Sequence, residues 1–565
     1  MASLNNIYTL FATTSPRTPS LMVADIKLLA EHFIGKKWDR DSQLRFTQEI
    51  DERDEGKGKK LKSGNRDIAA RDRINRSPKK FGFVRLKPTI ALTPAGEALL
   101  GTKRTSEIFL RQFLKYQLPS PFHNQEKDTE RFRVKPYLEL FRLIRHFGSL
   151  TFDELRLFGL QLTDYRAFDD IVSMIDAFRR RKAMYNGMYK KFLHDETTAV
   201  VKHVFRENIA KGKTRTRQTT DSSLADFVAK KARNMRDYAD AIFRHLRATE
   251  MVDISQSGRT LSIRAERMAE VDYFLRTIDR EPLSDISEND YIEYLGNIDK
   301  PYMLSDDRDL LIKTIGEEYP QTVIESGMTV AQLKEVLAQA REERKRTLID
   351  DNVKGIKARR YYDDIIETFD RIKRNEYYDN PLMFEWNAWR AITMMDGGKV
   401  VANLNFDDHG DPLSAAPGNA ADIVCDYGSF ALTVELTLSS GQRQFATECE
   451  PVPRHLGRYK RQSGKQTYCL FIAPAINNAT IAHFFSLHMS KIGFYGGDTI
   501  IIPLTLNVFE TMLSNARKQE YTPQPQAVEA FFLKATEIAD RCSGEDACEK
   551  WYNEVSAMAC LWPNL

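Results

Sequence analysis

Apolar positions along the chain alternate between helical and strand-like spacing, and the changes mark out modules. Residues 23–33 carry hydrophobics at helical intervals, and residues 66–74 repeat that pattern with arginines on the polar side. Residues 82–86 and 89–92 then read as two short strands. Thr93 and Pro94 predict a helix start, since threonine caps a free amide and proline suits the first helical position. Helices, a small hairpin and a further helix predict a winged-helix-like module over residues 1–115.

A second such module is expected over 116–280. Residues 137–144 form an apolar-periodic helix ending near Gly148, and 150–155 begin another, giving helix, tight turn, helix. A basic run precedes Ser222 and a further helix, and 252–261, broken at Gly258, predict a second wing. Residues 281–379 read as a linker of two or three packed helices, because 331–346 and 353–374 are highly charged with apolar residues at helical spacing. The last module, 380–565, opens with a helix at 384–395, followed by strands at 400–406, 422–427 and 430–438. A helix at 444–448 is expected to continue weakly toward Tyr459 against the opposition of Pro451 and Pro453. Residues 468–473 are continuously apolar, as a strand buried on both faces would be. A helix at 481–489, a strand at 499–504 and a helix from Val508 complete a mixed α/β core, so the expected fold class is multidomain α+β.

With 42% hydrophobic and 29% charged residues, the chain has a soluble, globular composition. No apolar run is long enough to cross a bilayer, and the start lacks the pattern of a secretory signal, so a cytoplasmic protein without a membrane partner is expected. The six cysteines all lie in the last 150 residues with no CxxC, which points to reduced thiols rather than a disulfide scaffold or zinc site. The net charge of +4 says little, but its distribution says more. Basic residues concentrate at 57–87 and 211–247, a layout suited to phosphates, or alternatively to a solvated surface. The DNA-contacting candidates are Arg71, Arg73, Arg76, Lys79 and Lys80 in the first module, and Lys213, Arg215, Arg217, Arg233 and Arg236 in the second.

The candidate chemistry lies in the last module. Asp422 at a strand edge and Glu435, 13 positions later on the next strand, can meet at one point of a bent hairpin. Phosphodiester hydrolysis uses such a point, because carboxylates gather Mg²⁺, which activates water and neutralises charge on phosphate oxygens. The general nuclease pattern is Pro-Asp, a spacer, then Asp/Glu-x-Lys; here Ala421 replaces the proline and Thr437 the lysine. Glu448, Gln442, Gln444 and His455 are candidates to complete the site, and Arg454 to contact a phosphate. Glu385 sits among bulky apolar neighbours and needs a partner, either a metal site or a salt bridge with Arg390 or another basic residue. The bland alternatives are a turn role for Asp422, a structural histidine at 455, and core positions for Trp386 and Trp389.

The runs Ala421-Asp422, Glu435 to Gly441, Gln444-Phe445 and Glu448 to His455 resemble the AlwI family of type IIS restriction endonucleases, which includes strand-specific nicking endonuclease large subunits. Residues 15–18, 69–80 and 115–122 are similar to the branch that reads the asymmetric site GAGTC. The resemblance implies N-terminal DNA-recognition domains, a helical linker and a restriction-endonuclease-like catalytic domain of the PD-(D/E)xK variant type. It places Glu385, Asp422, Glu435, Glu448 and His455 at the active site, with Asp422, Glu435 and Glu448 as ligands of Mg²⁺, for which Mn²⁺ can substitute. It further implies double-stranded DNA as substrate, a prokaryotic cytoplasm, and a transient homodimer or smaller catalytic subunit for second-strand cleavage. A strand-nicking enzyme and a DNA-binding regulator with a degenerate nuclease domain are the competing readings.

Overall fold

The computed structural model describes all residues except 1–3, 5, 6, 13, 15, 54–65, 124–130, 216–222, 256–258, 396, 416–419, 520–523 and 565; for 52, 53 and 66–69 only the backbone is described. The described residues form a mixed α+β fold in two compact units, residues 1–47 with 66–341 and residues 48–65 with 342–565. The division falls inside one 28-residue helix, Val330–Lys357. Most of the first expected module, the second module and the front of the linker therefore share a unit, while residues 48–65 and the rest of the linker fall with the last module.

In the first unit, β1 (Val84–Arg85) pairs antiparallel with β2 (Ala91–Leu92). Thr93 accepts the Gly96 amide at 3.2 Å and caps the helix Pro94–Gly101, as its position in the sequence predicts. Gly96 has to be glycine, because a Cβ there would lie 2.1 Å from the Phe83 carbonyl oxygen. The helix Pro136–Phe147 stops at Gly148, whose φ of 72° suits a residue without a Cβ. Leu150 and Thr151, expected to start a helix, lie instead in β3 (Ser149–Thr151), where pairing with residues Thr260–Ile263 holds them extended. The helix Phe152–Leu157 follows, with Thr151 and Glu154 forming a reciprocal capping box. After a helical hairpin, Phe168–Met184 and Tyr189–Val204, comes the long helix Leu224–Ala248. It leads into β4 (Val252–Ile254) and β5 (Thr260–Ile263), giving an antiparallel sheet in the order β3-β5-β4. Gly258 lies outside the described residues.

The second unit is built on a five-stranded sheet, in the order Ile501–Thr505, Gln466–Ala473, Phe430–Leu436, Ile423–Asp426, Lys399–Ala402. Its strands are β6 (Lys399–Ala402), β9 (Ile423–Asp426), β10 (Phe430–Leu436), β11 (Gln466–Ala473) and β12 (Ile501–Thr505), with β7 (Leu404–Phe406) and β8 (Pro412–Ala415) forming a side hairpin. β6, β9 and β10 run antiparallel, whereas β10, β11 and β12 are parallel. β11 separates two hydrophobic layers by simple alternation. Tyr468, Leu470 and Ile472 enter the larger core with the helices Asn380–Met395 and Leu506–Lys518, while Cys469, Phe471 and Ala473 face Val452, Leu456 and Phe484. Trp389 belongs to the larger core and Trp386 packs against it. The helix expected to continue from 444 toward 459 is two helices, Gly441–Glu448 and Pro451–Ser463. Pro451 starts the second, since its ring cannot continue the first. No helix among the described residues is long and apolar enough to cross a membrane.

Candidate active site

The end of the β9–β10 hairpin is where the acidic residues converge. Register pairs Val434 with Ile423, so Asp422 falls opposite Glu435. The Asp422 carboxylate accepts the Leu436 amide at 2.8 Å, and its own carbonyl accepts the Asn403 amide at 2.8 Å. Both bonds fix Asp422 to the strands on either side of it. Glu435 is buried on the face of β10 opposite Val434, toward the Pro451–Ser463 helix.

That helix delivers His455, whose Nδ1 lies 2.8 Å from Glu435 Oε1. The shorter helix, Gly441–Glu448, delivers Glu448 at its last turn. Glu448 accepts the Thr437 hydroxyl at 2.9 Å and the Thr447 hydroxyl at 3.0 Å. Burial pushes the Glu435 carboxyl well above its usual range, the charge of Glu448 pushes it further, and Arg454 partly offsets both. Arg454 is itself buried, with Nε donating to Glu450 at 3.0 Å.

Four of the five expected site residues, Asp422, Glu435, Glu448 and His455, thus meet around one strand end. Glu385 is half-buried on the Asn380–Met395 helix, which packs against β6, the neighbour of β9. Arg390, one of the basic partners expected for Glu385, pairs with Asp364, donates to Asn387 at 3.2 Å and stacks on Trp386. Gln444 is a structural clamp: its amide donates to the Ser439 and Ala475 carbonyls and accepts the Asn477 amide, while Gln442 is exposed. Among the described residues, no three His, Cys, Asp or Glu side chains are gathered tightly enough to form a metal cage as they stand.

Sequence reading missed the part played by Thr437. It counted this residue only as an absent lysine, yet its hydroxyl holds Glu448. Strand alternation offered a signal, because residues 435 and 437 share a face.

The basic candidates of the first unit divide by their surroundings. Arg71 and Arg76 are exposed, Arg76 pairing with Asp72. Arg73 is fastened by two bonds, at 2.8 and 2.9 Å, to the fully buried Asp25. Lys79 bonds Glu288 at 2.8 Å and lies over the Phe122 ring, while Lys80 lies over Phe11. Burial, with Arg76 and Lys79 nearby, pulls the Lys80 ammonium down to about 8. Lys213, Arg215, Arg233 and Arg236 are exposed, the last two on the Leu224–Ala248 helix; Arg217 lies outside the described residues.

Residues 79–512 match the model of the AlwI restriction endonuclease family. Among solved structures, the chain is similar to the small subunit (R.BspD6I2) of the heterodimeric restriction endonuclease R.BspD6I, at 24% identity over 35% of this chain and 98% of that one, with a TM-score of 0.31. It is also similar to the BpuJ1 endonuclease binding domain, solved in complex with pyrene- and phenanthrene-modified DNA, at 11% identity over 52% of this chain and 96% of that one, with a TM-score of 0.34. No curated protein matches the chain.

Proposed function

This chain belongs to the AlwI restriction endonuclease family, and we propose that it is a type IIS enzyme that reads a short asymmetric duplex site and hydrolyses phosphodiester bonds a few base pairs outside it with Mg²⁺. The observation that carries this reading is the meeting of Asp422, Glu435 and Glu448 beside His455. Their chemistry suits a hard divalent cation: Glu435 is costly to ionise next to Glu448, and a cation held by these carboxylates relieves that cost. When bound, Mg²⁺ or Mn²⁺ supplies Lewis-acid stabilisation of the phosphate and a water of lowered pKa.

The chain's own residues do the positioning. The Leu436 amide orients Asp422, Thr437 orients Glu448, and His455 holds Glu435 through Nδ1. Arg454 places positive charge close to the carboxylates, in the part the lysine plays in the general nuclease pattern. Glu385 is assigned a supporting role on the neighbouring helix. The reaction in this reading is direct attack by water, without a covalent enzyme intermediate.

For DNA recognition, the order helix, strand, helix, long helix, strand, strand over 136–263, with its three-stranded antiparallel sheet, supports a winged-helix module. Arg233 and Arg236 lie on its long helix and are the strongest of the basic candidates, while Arg73 serves to hold its own module together.

The test is to incubate the purified chain with plasmid and Mg²⁺ and to sequence the ends. Cuts at a fixed offset from one asymmetric sequence, giving linear product, are expected. No Mg²⁺- or Mn²⁺-dependent cutting sinks the reading. Open circles that persist at rising protein concentration overturn the self-sufficient double-strand cutter in favour of a nicking enzyme or the large subunit of a heterodimer.

A further inference from the structure

The helical hairpin inserted between Phe152–Leu157 and Leu224–Ala248 ends in an unusual tip. Residues 180–191 are exposed without interruption, and Met184 and Met188 at the turn are 76% and 77% exposed. Five cations flank them, Arg180, Arg181, Lys182, Lys190 and Lys191, with no acidic residue in the run. Arg181 is neutralised by Glu196 at 2.7 Å, but the other four have no carboxylate partner among the described residues.

The tip is nonetheless firmly mounted. Arg179 bonds both oxygens of Glu154, at 2.8 and 3.0 Å, and the Ser149 carbonyl at 2.9 Å. The Tyr189 hydroxyl donates to Asp153 at 2.8 Å. Tyr185 packs on Phe192 at 5.1 Å between ring centroids and folds over Gly187, where a Cβ would come within 2.7 Å of the Tyr185 ring. A flexible loop would not need such fixings. The hairpin presents two flexible, polarisable side chains between two banks of positive charge, from a base clamped to the Phe152–Leu157 helix.

We propose that this tip is a DNA-contacting finger: its cations hold phosphates on either side of a groove, and Met184 and Met188 press into the groove between them. The proposal rests on the reading of the chain as a DNA enzyme. Charge complementarity singles out the occupant, because duplex DNA offers closely spaced anions. Apolar side chains set among arginines and lysines are a recognised means of entering a groove. A second copy of the same tip would be repelled.

The experiment measures binding of a fluorescein-labelled, mixed-sequence 40-base-pair duplex by anisotropy across a KCl series. It compares the full chain with Arg180→Gln/Lys190→Gln/Lys191→Gln and with Met184→Ser/Met188→Ser, after circular dichroism shows each folded. Each phosphate that is no longer neutralised lowers the salt slope by about 0.9, so the charge variant should drop by about two to three units of slope and bind at least about tenfold more weakly at 150 mM salt. The methionine variant should keep the slope and bind about three- to tenfold more weakly. Wild-type affinity and slope in both variants would overturn the finger while leaving the enzyme reading intact. An altered oligomeric mass with unchanged DNA binding would assign the tip to a protein partner and overturn the proposal as well. A wild-type chain that binds no DNA overturns both readings.

Discussion

The Thr437 hydroxyl donates to the Glu448 carboxylate at 2.9 Å, tying a residue at the end of β10 to the last turn of the helix that follows. Hydrogen bonds to a charged group contribute about 1.5–3 kcal/mol, enough to decide where a carboxylate points. Thr437→Val keeps the shape and removes the donor. It is expected to lower kcat for plasmid cleavage by about 10- to 100-fold with DNA affinity unchanged. Thr437→Ser should restore most of the rate; a serine variant as slow as the valine one would show that the hydroxyl is not what matters.

Asp422→Asn retains an oxygen for the Leu436 amide and loses only the charge. Cleavage should fall by about 10²- to 10³-fold, while the melting temperature and DNA binding stay near wild type, a loss of the size produced by removing one stabilising group from an active site. Unimpaired cutting by this variant, measured on plasmid under saturating Mg²⁺, would remove Asp422 from the site.

Glu435 is held protonated more strongly in the folded chain than in the unfolded one, by burial first and by Glu448 second. A carboxyl with a raised folded value contributes its stability below its ordinary value of 4.5 and loses it as pH climbs through the raised one. In EDTA, the second unit should therefore melt at lower temperature as pH rises above the ordinary value of 4.5. Glu435→Gln should flatten that decline and abolish cleavage. Calorimetry showing equal slopes for the two proteins would contradict the assignment.

An opposite pH dependence is expected in the first unit. Burial alone would raise the Glu107 carboxyl, but Lys334 at 2.6 Å and Arg111 at 2.8 Å, with Arg104, outweigh it and pull the value down to about 2. A depressed carboxylate contributes stability above 4.5 that is lost as pH falls toward 2. Thermal melts between pH 5 and 3 should show that loss in the wild-type chain and much less of it in Glu107→Gln, which will also be less stable at pH 7. Parallel acid limbs for the two proteins would rule out Glu107 as the source.

Much of the second unit was legible: the unbroken apolar run at 468–473 reads as a strand buried on both sides, and β11 is one. The single strand expected at 400–406, by contrast, is split between β6 and β7 of two sheets, and β8 was not expected. The meeting of Asp422 with Glu435 followed from spacing alone, since two neighbouring strands joined by a short turn bring such positions side by side. What escaped was anything decided by a distant partner. Thr151 is extended partly for a local reason, as the cap of the helix that follows, but Leu150 is held by β5, more than a hundred residues later. Arg73 resembles Arg71 and Arg76 in sequence, and only the buried Asp25 sets it apart. The hairpin tip at 180–191 escaped because exposure is a property of packing: its run of cations is visible in the sequence, but the solvent-facing position of Met184 and Met188 is not.

The junction at Cys449 and Glu450, between the helix that brings Glu448 and the one that brings His455, has a consequence for how the site tolerates change. An α-helix turns about 100° per residue, so angular phase fixes where each side chain points. One residue inserted after Pro453 would swing His455 about 100° away from Glu435 while leaving Glu448 where it is. One residue inserted at the junction could instead be absorbed by the break, sparing both phases. The stretch from Glu448 to His455 thus forms two separately keyed parts joined by a break in the helix, and an added residue is expected to be tolerated better at that break than within either helix.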